Sequence, residues 1–217
     1  MTSGMIIVVG LLAFALVAGL LLASNRSQSG PSSGETWQAF AQASGGTYSQ
    51  NPIGRARKVT FTERGRTITL EGWSTLDGPG DSILSYTKFL AQGSFDPAAP
   101  FQLHAESRKS SQLSLSLTQR GGESFQTGDP GLDAAYAARS NDPARAAALM
   151  RNPRVRELLL RLSGNEAYLD LASDGGRWRV RFGDEDAPLS IARLQDARQL
   201  IAAVLDDLAA SGAARKP

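Results

Sequence analysis

The chain has 217 residues, 41% hydrophobic and 20% charged, which is ordinary globular material and excludes a disordered chain. Its 23 Lys and Arg nearly balance 21 Asp and Glu, without the clustering that a nucleic-acid footprint needs, so nucleic acid is not an expected partner. Cys is absent and His occurs once, which removes disulfides, thiolate metal sites and a Cys nucleophile.

Residues 5–23 read MIIVVGLLAFALVAGLLLA, 19 residues without a charge. As a helix this run would span about 28 Å, close to the ~30 Å hydrocarbon core. It predicts a transmembrane anchor built from Met5, Ile6, Val9, Leu12, Phe14, Leu16, Leu20 and Leu22, with the lipid bilayer as partner. A cleaved signal peptide fits less well. Residues 1–4 carry no Lys or Arg, the apolar run is longer than a usual h-region, and no A-x-A site follows. Ser24 stands where a lipoprotein would need Cys. Ala15, Gly19 and Ala23 share one helix face at the small-xxx-small spacing that lets two helices approach, although Ala and Gly are common in any membrane span. Arg26 is the one charge flanking the run, and it favours a cytoplasmic domain at the inner membrane over a periplasmic one.

Residues 24–34, SNRSQSGPSSG, have nothing to bury and read as a tether. Gly30 to Gly34 matches G-x-S-x-G literally, but a linker supplies neither the strained strand-to-helix turn nor the base. The expected organisation is an anchor over residues 1–24, a linker over 25–35 and one soluble domain over 36–217.

Trp37, Phe40 and Ala41 recur at i, i+3, i+4 and predict a helix over 36–44, ended by Gly45-Gly46. Residues 58–63 and 66–73 alternate apolar with polar (Val59, Phe61, Ile68, Leu70) and predict a hairpin. The loop 77–81 precedes a strand over 82–91, and 101–107 with 112–118 predict a second hairpin. Asp142-Pro143 and Asn152-Pro153 each place a cap before a Pro, predicting helices over 143–151 and 153–162. A third hairpin joins 168–172 to 177–182 through Asp174-Gly175-Gly176. The last element is an amphipathic helix over 188–210 with the stripe Ile191, Leu194, Ile201, Val204, Leu205, Leu208. The expected fold class is therefore α+β: an N-terminal transmembrane helix, then one soluble domain of antiparallel hairpins packed with about four helices.

Residues 127–162 carry Gly128-Asp129-Pro130, Asp133, Tyr136 and Asn141-Asp142-Pro143. With these the chain resembles a family of bacterial single-pass membrane-anchored proteins of unknown function, Leu132 and Tyr136 standing where that family would show Phe. The resemblance implies an anchor before one α+β domain and implies no activity.

His104 shares a strand face with Gln102 and Glu106 and is expected at the surface, which leaves a Ser/His/Asp triad without support. Asp184-Glu185-Asp186, just before Pro188, suits a helix N-terminus better than a cation site. The paired glycines fall at turns and lack phosphate-loop spacing. Arg177, Arg179 and Arg181 alternate with Trp178, Val180 and Phe182, so one strand face carries three arginines. That face is either a solvated exterior or a site for phosphate, an acidic lipid headgroup or an acidic partner. No catalytic residue, metal or cofactor is expected. The function expected is a non-catalytic binding or adaptor module tethered to the inner membrane, with an unidentified protein partner. The alternatives are a membrane-associated hydrolase and a module that docks on anionic lipid.

Overall fold

The computed structural model describes residues 33–50, 57–63, 65–77, 84–110, 121–164, 166–174, 177–184 and 190–212. The described residues from Thr36 onward form one compact unit. In chain order the elements are α1 (Ser33–Ser44), β1 (Thr47–Gln50), β2 (Arg57–Glu63), β3 (Arg66–Asp77), β4 (Leu84–Phe95), β5 (Leu103–Ser107), β6 (Glu123–Phe125), α2 (Pro130–Ala135), β7 (Tyr136–Ser140), α3 (Pro143–Arg151), α4 (Pro153–Leu162), β8 (Tyr168–Asp174), β9 (Arg177–Asp184) and α5 (Ile191–Ala210).

All nine strands join one antiparallel sheet in the order β1-β2-β3-β4-β9-β8-β5-β7-β6. Strand alternation then assigns every residue a face. One cross-strand row runs Val59, Leu70, Ala91, Phe182, Leu169, Ala105, Ala138, and all seven are buried. The helices cover this face. Trp37 and Phe40 of α1 are fully buried, and Trp37 lies directly over Gly72, where a Cβ would collide with the indole. The Phe40 and Phe61 rings meet edge to face at 5.4 Å. Leu205 and Ile201 of α5 press on β4 at Gly93.

The expected fold class is corrected at its membrane-spanning helix. The antiparallel strands packed with helices are present, and β4 pairs with β9 so that the strands of both halves form one sheet. A lone hairpin leaves two edges of unpaired N–H and C=O groups, and the long sheet removes most of them. Among the described residues, moreover, no helix is long and apolar enough to cross a membrane. The longest, α5, has 20 residues but is two-faced, burying Leu194, Leu200, Ile201, Val204, Leu205 and Leu208 while Arg193, Asp196, Arg198 and Asp206 stay partly exposed. The run 5–23, including the anchor positions and Ala15, Gly19 and Ala23, lies outside the described residues.

One local expectation also changes, while the strand expected over 112–118 lies outside the described residues. The last helix starts at Ile191, with Ser190 as its cap accepting from the Arg193 N–H. Asp184 does not cap it. It is buried at the end of β9, where Arg193 donates Nε at 2.6 Å and Nη2 as well, while the same Nη2 donates to the Leu162 carbonyl at 2.8 Å. One arginine thus ties β9, α4 and α5 together.

The Gly-Asp-Pro segment is a capping device. Asp129 accepts from the Gly131 and Leu132 N–H groups at 2.9 and 3.0 Å, and Pro130 opens α2. Asp133 reaches back to accept from Thr127 N and Oγ1 and from Gly128 N. Arg156 of α4 donates Nε to Asp129 at 2.5 Å, linking α2 to α4. The guanidinium of Arg156, then the Leu132 N–H, hold the Asp129 carboxyl below its usual 3.8. A group depressed in the folded state stabilises above its unfolded pKa, and that contribution is lost as pH falls through the folded value. Asp129→Asn is therefore expected to lower the melting temperature at pH 7 and to flatten its fall below pH 4, read from melting curves across an acid pH series.

Candidate functional site

The face away from the helices carries a second cross-strand row. It runs Thr47, Thr60, Thr69, Gln92, Arg181, Asp170, His104, Arg139, Ser124, one residue from each strand. Along it the chemistry passes from hydroxyls and an amide to charges. Two features stand on this face, a buried network and an open cleft.

The network is centred on His104, which is 5% exposed rather than lying at the surface as expected. Its Nδ1 is 3.4 Å from Asp170 Oδ1 and its Nε2 3.2 Å from Glu106 Oε2. The two ring nitrogens thus face one carboxyl group each. Arg181 Nη2 donates to Asp170 Oδ2 at 3.2 Å. Glu106 and Asp170 are 6% and 2% exposed, so each depends on these hydrogen bonds in place of water. The Tyr168 ring lies 6.5 Å from the imidazole, across Gly183, where any Cβ would collide with the phenol.

The network continues to the loops. Ser110 Oγ is 2.6 Å from Glu106 Oε1 and 2.7 Å from Glu166 Oε2. A hydroxyl has one hydrogen to donate, so Ser110 can serve only one of the two carboxyl groups at a time. The constellation resembles a catalytic one only in its residue types. Ser110 is hydrogen-bonded to carboxyl groups rather than to His104, and both imidazole nitrogens face carboxyl groups, so the arrangement is not a Ser–His pair.

The cleft forms where two strands part. Pairing of β3 with β4 stops at Ile68↔Gly93. Beyond it β3 continues along β2 to Arg66↔Glu63, and β4 continues along β9 to Phe95↔Trp178. A cavity of about 690 Å³ opens between them. Gly93 and Leu205 form its floor, and Thr67, Thr69, Gln92 and Ser94 line it with hydroxyl and amide groups. Its cations are Lys58, Arg66, Arg177 and Arg179, with Asp96 as the acid among the lining residues.

The three alternating arginines are thereby divided. Arg181 belongs to the His104 network, and Arg177 and Arg179 belong to the cleft. Trp178 on the opposite side is half-buried, its ring 6.1 Å from Phe95. Among the described residues no group of three His, Asp or Glu is placed to hold a metal ion. Alternation identified the arginine face but not Lys58, Arg66, Gln92 or Ser94, whose signal is cross-strand register rather than local pattern. His104 and Asp170 are 66 residues apart, and only the β5–β8 pairing makes them neighbours.

His104→Ala leaves two buried carboxyl groups without the imidazole between them, and urea unfolding is expected to show a loss of about 3–5 kcal/mol. Glu166→Gln keeps a polar partner for Ser110 at a less buried position and is expected to stay within about 0.5 kcal/mol of the parent. An equal loss in both variants would mean that the imidazole matters no more than the loop contact.

No protein-family model matches the chain, and no curated protein matches it. Among solved structures it is similar to the crystal structure of the mycobacterial trehalose monomycolate transport factor A, TtfA, with a TM-score of 0.47 and 10% identity over 81% of this chain and 93% of that one.

Proposed function

We propose that the protein is a non-catalytic binding module whose ligand enters the cleft between β3 and β4. The observation that carries this reading is the make-up of the cleft. It offers cations, hydroxyls and an amide around a cavity of ligand size, and the one histidine of the chain is sealed in a different network. Binding needs donors and shape. Acyl or phosphoryl transfer would in addition need a nucleophile with a base beside it. The membrane-associated hydrolase reading therefore loses its only imidazole. The full chain is expected to show no turnover above buffer on generic ester, phosphate and glycoside substrates. Turnover abolished by Ser110→Ala or His104→Gln would overturn the proposal.

We also propose that the module works at the cytoplasmic side of the inner membrane, a reading supported by the charge-free run 5–23 and by Arg26. A reporter active only in the cytoplasm, fused after Pro217, is expected to give signal. Signal from an externally active reporter instead would move the module to the periplasmic side.

A further inference from the structure

The cleft offers more than general room for a ligand, and its donors define a charge and an oxygen count. Arg177 and Arg179 lie at i and i+2 on β9, on the same face, and both line the cavity. Lys58 comes from β2 and Arg66 from β3, so cations reach the cavity from three strands. Arg179 is engaged by a neighbour, and two of the others are tied at the rim. Lys58 is 3.1 Å from Glu71, and Arg66 is 3.2 Å from Asp206. Both pairs are partly exposed, and such pairs hold their partners weakly, by about 0–1 kcal/mol. Arg177 is exposed and has no ion-pair partner among the described residues. Among the residues that line the cavity itself there are four cations and one acid, Asp96.

We propose that the cleft binds a phosphate-bearing ligand, a phosphomonoester or diphosphate, through Arg177 and Arg179 with Lys58 assisting. The proposal rests on the binding-module reading and names its ligand class. A carboxylate has two oxygens and one charge, which one guanidinium fork satisfies. A phosphate monoester brings three terminal oxygens and up to two charges, which takes more than one cation and additional neutral donors. The cleft has both. The hydroxyls of Thr69 and Ser94 and the Gln92 amide lie on the strands between Lys58 and Arg179, where they can take the oxygens that the guanidiniums leave. A cavity of about 690 Å³ exceeds a lone phosphate, and Phe95 and Leu205 offer an apolar wall to the uncharged body of the ligand.

Phosphate of this kind occurs on soluble compounds and on lipid headgroups, and the test separates the two. The full chain in neutral detergent is titrated with pyrophosphate, with short-chain phosphatidic acid and with short-chain phosphatidylcholine. The expected result is saturable, salt-sensitive binding of pyrophosphate or phosphatidic acid, weakened about tenfold or more by Arg177→Glu. Arg177 is exposed, so this variant is expected to melt as the parent does. Should it fail to fold, Arg177→Gln is read in its place, with a smaller loss in the same direction. Tighter binding of phosphatidic acid than of pyrophosphate points to a headgroup, and the reverse order points to a soluble compound. No saturable binding of either probe at millimolar concentration, or binding unchanged by the substitution, overturns the proposal. So does equal binding of phosphatidylcholine. The binding-module reading outlives each of those failures, and only turnover of a substrate removes it.

Discussion

The pairing of β4 with β9 is the constraint on which the structure depends. It runs over seven residue pairs, from Phe89↔Asp184 to Phe95↔Trp178, and joins β1–β4 to the remaining five strands. A one-residue slip at this seam would send Ala91 and Phe182 to the wrong face and break the apolar row that spans the sheet. The same seam sets the polar row, because Gln92 and Arg181 meet there. Core, network and cleft are therefore consequences of a single register.

The two faces are stabilised by different physics. On the helix side, Trp37, Phe40, Leu70, Leu171, Phe182 and Leu200 leave water together, and each fully buried large side chain contributes roughly 1.5–3 kcal/mol relative to exposure. On the other side His104, Glu106 and Asp170 are also buried, yet they are polar groups whose desolvation is offset by hydrogen bonds to one another, to Ser110 and to Arg181. Such a network adds little net stability over an apolar replacement, but it penalises any arrangement that separates its members. Leaving Gly183 without a side chain lets the Tyr168 ring close over this part of the sheet.

The cleft arises because β3 and β4 have different neighbours beyond Ile68↔Gly93. β3 follows β2 toward the tight turn at Gly65, and β4 follows β9. Strands that twist with different partners diverge, and the gap exposes a floor made by α5. Two partly exposed ion pairs, Arg66 with Asp206 and Arg198 with Glu63, connect α5 to the β2–β3 hairpin beside this gap, and Arg198 also stacks 4.5 Å over the Phe61 ring. The cleft is thus framed by the helix that seals the core, so its shape is as rigid as that packing.

Local chemistry was legible from the sequence alone. The Asp142-Pro143 and Asn152-Pro153 pairs marked α3 and α4 at their observed bounds, since a cap and a fixed Pro φ act within one turn. Alternation in β2, β3 and β9 assigned core and outer faces, because successive side chains must point oppositely whatever the partner strand. The hairpins β2–β3 and β8–β9 were legible too, but what the sequence could not determine was which strands pair beyond them. His104 reads as a surface residue because its own segment is polar on that side, and its burial comes from β8 and β7 closing on both edges of β5. Asp184 reads as a helix cap because it precedes a Pro, but Arg193 draws it into the core as a buried anion. Arg177, Arg179 and Arg181 look equivalent in sequence, yet Arg181 faces Asp170 across β8 while the other two face a gap. Partners and gaps are set by long-range register, which no local period encodes, and so the tertiary structure alone decided where the charges of this protein meet.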